Sequence, residues 1–206
     1  MSKNNFTELP SEIYFMQINR HIHYAEACAE IYFLLKYKNA KYENEKWDQV
    51  LKIAPVFFTV TRKALLEMSL LNLSGICESY QKTAKFIDSQ NGFLNTEDKI
   101  KHYQLCKAKM KEGAALLHGI DKIRDKTIAH FDPVYFENAN DLYQEVNPNI
   151  DDLRKLISLL KEINMDLTKL IFNNTEDDCL LIETEEDYYA LDNFDDVAKL
   201  MDKCLK

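Results

Sequence analysis

Glycine and proline are scarce, four of each in 206 residues. A sheet protein needs turn residues every few positions, so the shortage argues against an all-β fold and for long helices. Long apolar runs are missing as well. The longest charge-free stretches, around Ile53–Thr61 and Met68–Cys77, reach about half of the roughly eighteen residues that a membrane-spanning helix needs. The N-terminal MSKNNFTELPSEIYF has no apolar core ahead of a small-residue cleavage site, so a cytoplasmic rather than secreted protein is expected, with no membrane partner. Cysteine is present but unpatterned. Cys28, Cys77, Cys106, Cys179 and Cys204 are odd in number and form no CxxC, which is the usage of reduced, mostly buried thiols. His21 and His23, at i and i+2, fall on different sides of a helix and read as polar or half-buried helix residues. No metal site and no cofactor is expected.

What is present is an ordinary share of apolar residues, 46%, in a chain long enough for one sizeable core. The net charge of −8 hides an asymmetry. Residues 1–130 carry 19 Lys and Arg against 15 Asp and Glu, and residues 131–206 carry 7 against 19. The acidic total therefore leaves the first two thirds free to meet a polyanion.

A first helix is expected from Pro10 to about Asn39, with proline at the first helical position. Ile13, Ile18, Ile22, Ala25, Ala29, Tyr32, Phe33 and Leu35 form its apolar face. A second helical region begins near Trp47 and breaks at Pro55, whose ring clashes with the preceding turn. From Val56 to about Ser79, Phe57, Val60, Ala64, Leu66, Leu70, Leu73 and Cys77 form a stripe. Leu65, Met68, Leu71 and Ile76 fall off it, so this helix is expected to be central, with Gly75 allowing a close crossing. Residues 80–96 read as a partly structured connection, with a turn at Asn91-Gly92. Thr96 is an N-cap, followed by Glu97 and Asp98 where the helix dipole favours acids.

The next helix contains KIKHYQLCKAKMK, residues 99–111, with five lysines and no acid. It reads either as a solvated face or as a phosphate-attracting one. Gly113 is expected to separate it from a further helix, Ala114–Phe131. Asn149 caps the last main helix, with Asp151 and Asp152 in its first turn and Leu153, Leu156, Leu160, Ile163, Leu167 and Leu170 as its apolar face. That helix ends near Asn173-Asn174. Residues 175–196 hold ten acids and no base, either as a solvated surface or as a shield for a basic cleft. A short last helix is expected over Asp195–Leu205. The expected fold is all-α: an antiparallel bundle of four to five main helices over residues 1–174, then an acidic C-terminal extension over 175–206.

Chemistry is expected within Lys122–Pro133, KIRDKTIAHFDP. On an ideal wheel, Leu116, Ile120, Ile123, Thr127 and Phe131 form a stripe, with Arg124 on one edge and His130 on the other, about 120° apart. Asp125 points away from it. Pro133 disfavours helical geometry at Asp132, which leaves His130 in the final turn. There the negative end of the dipole favours the protonated ring. Histidine moves protons near neutrality, and arginine offers a planar fork matched to phosphate oxygens. Together they suit RNA cleavage without a metal: a base deprotonates the 2′-hydroxyl, its oxygen attacks the adjacent phosphorus, and a cation stabilises the added charge. One Arg–His pair is thin for a reaction that needs a base, an acid and charge stabilisation. Two copies about a two-fold axis supply them, and the apolar stripe is a candidate surface for that pairing. By spacing alone, the commoner reading of Arg124 and His130 is as rim residues of a core helix making local hydrogen bonds.

The same residues resemble the R-x4-6-H motif of the HEPN superfamily, all-α domains of prokaryotic toxins and defence proteins. RDKTIAHFD, together with the apolar helix ending LLNLSGICESY and the following lysine-rich helix, is similar to the abortive-infection, AbiU-type branch. The likeness covers about residues 10–173 in layout. It implies a homodimer whose two motifs line a shared cleft, and metal-independent endoribonuclease activity in phage defence or a toxin–antitoxin system, with a cognate antitoxin as a further partner. Arg124 and His130 take the catalytic positions, and Asp125 that of the polar residue after the arginine. Lys126, Lys122, Lys107 and Lys111 are the candidate RNA-binding residues. Where HEPN toxins neutralised by nucleotidylation carry a tyrosine two residues past the histidine, this chain has Asp132. The alternative is a non-catalytic HEPN dimer that binds RNA, nucleotide or a protein.

Overall fold

The computed structural model describes residues 8–36, 52–123 and 150–172, with side chains in the third helix described to His118. Four long helices make up these residues: α1 (Glu12–Lys36), α2 (Pro55–Ser89), α3 (Glu97–Ile123) and α4 (Ile150–Phe172). No strand occurs among them. The polar contacts fix the directions. Ser69 Oγ donates to the Ala25 carbonyl, His21 pairs with Asn72 at 2.8 Å, and Tyr14 Oη reaches the Ser79 carbonyl, so α2 runs antiparallel to α1. Arg154 grips Glu30 with two hydrogen bonds, and Asn164 reaches the Phe15 carbonyl, so α4 also runs antiparallel to α1. Lys155 pairs with Glu112, and His102 donates to the Asp166 carbonyl, so α3 and α4 are antiparallel. The result is a ring in the order α1, α2, α3, α4, up-down-up-down, as expected for an all-α antiparallel bundle.

The core fills the centre of this ring. Ile22 and Ala25 from α1, Leu70, Leu73 and Tyr80 from α2, Cys106 from α3, and Leu153, Leu156, Leu160, Ile163 and Leu167 from α4 are almost fully buried. Tyr80 is the largest of these. Its hydroxyl, deep between α2 and α4, donates to the Leu160 carbonyl at 3.0 Å, which removes the cost of burying an unpaired polar group. Burial holds the Tyr80 phenol far above its ordinary titration range.

The local stop and start signals act as physics requires. Lys52 and Ile53 are helical, the chain bends at Ala54, and the helix restarts at Pro55, which stands at the first helical position where no amide donor is needed. Gly92 adopts φ +90°, a left-handed conformation that L side chains resist. Thr96 Oγ1 accepts from the Lys99 amide at 3.2 Å and caps α3. Asn149, the expected cap of α4, lies outside the described residues, as do the 174/175 boundary and the acidic extension.

Five expectations are corrected. Residues 80–89 are not a connection, because α2 continues to Ser89: Tyr80, Thr83, Ala84 and Ile87 keep the burial period although Gln81, Lys82 and Lys85 stand between them. Gly113 does not end a helix, because α3 runs through it to Ile123. A Cβ at Gly113 would stand 3.1 Å from Leu159 Cδ2, so glycine serves close packing of α3 on α4. Gly75, given that role by the sequence, meets nothing within 4 Å. Finally, Ile13 is 67% exposed and Phe15 takes its place in the core, while the first turns of α2 lie outside the core altogether.

Glu26 ties α1 to α4. Burial alone would raise its carboxyl, but the His23 ring 3.5 Å away and the Lys161 ammonium, which donates to both its oxygens, outweigh that and hold it below its ordinary 4.5. A carboxylate depressed in the folded state adds stability above its unfolded value and loses it as pH falls through the folded one. As pH falls from 7 through the carboxylate range the wild type should therefore lose more stability than Glu26→Gln in urea titrations; equal losses would contradict the assignment. At Gly113, valine should cost about 2 kcal/mol or more through overpacking against Leu159. Alanine should stay within about 1 kcal/mol of wild type, because its helix propensity offsets a small shift of the leucine. A stabilising Gly113→Val would show that the close approach is not real.

Candidate functional site

The residues singled out for chemistry follow the described part of α3 in the chain, so the setting of that helix comes first. Its inner face is Tyr103, Cys106, Gly113 and Leu117, spaced to fall on one side. Leu116, the described member of the stripe leading to the motif, is half-buried and packs against the core. The opposite side exposes Lys101, Gln104, Leu105, Ala108, Lys111 and Ala115.

The second half of α3 is held by α4. Lys109 Nζ lies 2.7 Å from Asp166 and 2.9 Å from Glu162, Glu112 pairs with Lys155 at 3.0 Å, and Gly113 sits against Leu159. On the α2 side the fit is looser. A cavity of about 30 Å³, room for about one water, lies between Cys77, Tyr80 and Gln81 of α2, Met110 and Gly113 of α3, and Leu160 of α4.

The lysine-rich face divides on inspection. Lys107 binds both oxygens of Asp88, at 3.0 and 3.2 Å, and lies over the Tyr103 ring. Lys99 lies over the Phe93 ring at 5.2 Å. Lys109 is bound to two acids; burial would lower its ammonium, but those partners raise it. Lys111 and Lys101 are exposed and have no hydrogen-bond or ion-pair partner among the described residues. Of the candidate RNA-binding lysines, Lys111 thus presents an ammonium unpaired among the described residues and Lys107 a neutralised one. The side chain of Lys122 is not described.

The thiols behave as buried apolar groups. Cys28, Cys77 and Cys106 are free and buried. Burial, with Asp166 nearby, pushes the Cys106 thiol up to about 12, and burial also raises Cys28, which leaves no reactive thiolate at either. Cys179 and Cys204 lie outside the described residues. Among the described residues no three His, Cys, Asp or Glu side chains converge as metal ligands, and no helix is long and apolar enough to cross a membrane.

Ile123 is the last described residue of α3, and Arg124 follows it in the chain. Arg124, Asp125, Lys126 and His130 themselves lie outside the described residues. The topology fixes which helix ends share that end of the bundle: the C-termini of α1 and α3 and the N-termini of α2 and α4. A family model, HEPN_AbiU2, described as AbiU2, matches residues 18–197 of this chain, so it spans all four helices and the motif. The chain belongs to this family. AbiU2 is a HEPN-type abortive-infection family, which agrees with the all-helical bundle and with the branch that the motif resembles. No curated protein and no solved structure matches the chain.

In this AbiU2 chain, sequence reasoning missed Lys109. It is the charged residue that holds α3 to α4, and the facing acids Glu162 and Asp166, one turn apart on α4, are the signal that marks it. Lys109→Met should cost about 1–3 kcal/mol, because Asp166 is mostly buried and loses its closest cation. Lys107→Met, at a pair that is about half exposed on both sides, should change stability by less than about 1 kcal/mol. Thermal unfolding of the two variants checks the order; a larger loss at Lys107 would reverse the reading of this face.

Proposed function

We propose that this AbiU2-family protein is a metal-independent endoribonuclease of an abortive-infection or toxin–antitoxin system, acting in the cytoplasm as a homodimer. The observation that carries the reading is the Arg124–Asp125–x4–His130 spacing in a chain whose family is HEPN. His130 takes the proton from a ribose 2′-hydroxyl. The 2′-oxygen then bonds to the adjacent phosphorus, and the bond to the 5′-oxygen of the next nucleotide breaks. That oxygen leaves with a proton from the His130 of the second copy. Arg124 stabilises the charge on the non-bridging phosphate oxygens, the task for which a guanidinium fork is suited. Asp125 orients Arg124. Lys126, Lys122 and Lys111 draw the RNA in, with Lys107 adding less because Asp88 already neutralises it. Regulation rests with a cognate antitoxin protein. Because Asp132 stands where other HEPN toxins have a tyrosine, that control does not act by nucleotidylation at this position.

The test is cleavage of RNA in excess chelator. The wild type should cut and leave 2′,3′-cyclic phosphate and 5′-hydroxyl ends, and a 2′-deoxy residue at the scissile position should block the cut. His130→Ala should lower the rate by at least about a hundredfold, the usual worth of a proton-transfer group. RNA binding that weakens steeply with salt but gives no cleavage, with His130→Ala binding as wild type does, would replace the enzyme by a non-catalytic binder.

A further inference from the structure

The outer face of α3 is basic once its ion pairs are counted. From Lys101 to His118 the helix holds four lysines and one acid, Glu112. Glu112 turns to Lys155 of α4, and Lys109 to Glu162 and Asp166 of the same helix. Lys107 is shared with Asp88 of α2. That leaves Lys101 and Lys111, both exposed, without an ion pair among the described residues and with no acid between them in the chain. At 100° per residue, Lys101, Gln104, Ala108, Lys111, Ala115 and His118 fall within an arc of about 100°, and all six are exposed. Lys85 of α2, exposed and likewise without an ion pair among the described residues, adjoins this arc. It stands within about one turn of Gln81, which lines the cavity against α3, and of Asp88, which binds Lys107. The helix rises about 15 Å from Lys101 to Lys111 and about 33 Å from Lys101 to Ile123.

We propose that this arc is a phosphate track, which grips the backbone of a single RNA strand along α3 and makes strand length, not base sequence, the property selected. The proposal rests on the nuclease reading for where the strand leads, but not for the track itself. Lys101 and Lys111 stand too far apart to share one small anion. A strand with a charge at every nucleotide meets both, and Lys85 beside them. The residues between them in the arc, Gln104 and Ala108, are an amide and a methyl group, so a sugar–phosphate backbone lies close to the helix without a clash. An acidic protein segment would need apolar seats beside its charges, and this arc offers only alanines. Bases find no platform. No Phe, Tyr or Trp is exposed from Lys101 to His118, because Tyr103 is buried with its hydroxyl on the Ala84 carbonyl. Without stacking or base-edge contacts the grip is blind to sequence. The strand is single because a 2′-oxygen must come in line with the leaving 5′-oxygen, which a stacked duplex does not allow. A track about 33 Å long holds more than the nucleotides at the cut, and sequence-blind sites of this kind take about 4–16 nucleotides.

The test is binding of the full chain to labelled RNA strands of about 4, 8 and 16 nucleotides across a range of salt. The strands carry 2′-O-methyl riboses, so that they cannot be cut, and cleavage of unmodified RNA is assayed in parallel. Affinity should rise at least about tenfold from the shortest strand to the longest, and strands of different sequence should agree within about threefold. Lys101→Gln and Lys111→Gln should each lower the salt slope for the longest strand by about 0.7, the value of one phosphate contact on a single strand, and together weaken it about tenfold. Lys161→Gln, which removes a lysine on the α1–α4 side, should leave the slope as it is. Affinity that is flat with length or follows sequence overturns the track. So does a slope that neither lysine moves, a duplex that binds more tightly than the strand, or an acidic peptide of equal charge that binds as well. If length and both lysines act as expected but unmodified RNA is not cut, the track stands and the nuclease reading falls. If RNA is cut while neither lysine affects binding, the track falls and the nuclease reading stands.

Discussion

Everything in this bundle depends on the burial of one face of α4. That helix is apolar on one side only, through Leu153, Leu156, Leu160, Ile163, Leu167 and Leu170, and all six are buried. Removing side chains of this size from water stabilises by about 1.5–3 kcal/mol each, far more than the ion pairs around them. A helix with a single apolar stripe has one way to satisfy it, which is to lie in the groove between two others. By filling the groove between α1 and α3, α4 closes the ring and sets α3 at a fixed height. The ion pairs Arg154–Glu30, Lys161–Glu26 and Lys109–Asp166 then choose the register, because each joins residues that a one-turn slip would separate.

The two sides of α3 are therefore unequal. Toward α4 its second half meets a leucine at close range across Gly113, an ion pair at Glu112 and the two acids that bind Lys109. Toward α2 it meets a small cavity. Glycine is usually a weak point within a helix. Here it is what lets the backbone come close enough for Leu159 to lie over it, so the helix that leads to Arg124 is positioned by α4 through the residue that most weakens it locally.

Much of this was legible because the deciding signals are local. Proline at 55, Thr96 followed by acids, and the Asn91-Gly92 pair each constrain the backbone within a few residues, and α4 shows one dominant periodicity, with Met165 on its exposed side. The misreadings have a common cause: they turn on neighbours far away in sequence. A glycine at 113 looks the same whether it ends a helix or admits a leucine from residue 159. The run from Gln81 to Lys85 looks like a connection until Tyr80, Ala84 and Ile87 are seen facing α3 and α4. The motif was legible as a spacing and as a family mark, for the same local reason. Spacing gives an angle around a helix but not what stands opposite. That is why Lys107 and Lys111, alike in sequence, differ in having or lacking Asp88 beside them.

The apolar first turns of α2 follow the same logic from the other direction. A helix apolar over most of its girth reads as central, because burial is the commonest fate of such a surface. The inference fails for α2 because the bundle supplies cover for one face only: α1, α3 and α4 all lie on the side of Leu66, Leu70 and Leu73. The outer residues Val56, Phe57 and Val60 carry the same hydrophobic free energy without a core partner among the described residues to realise it.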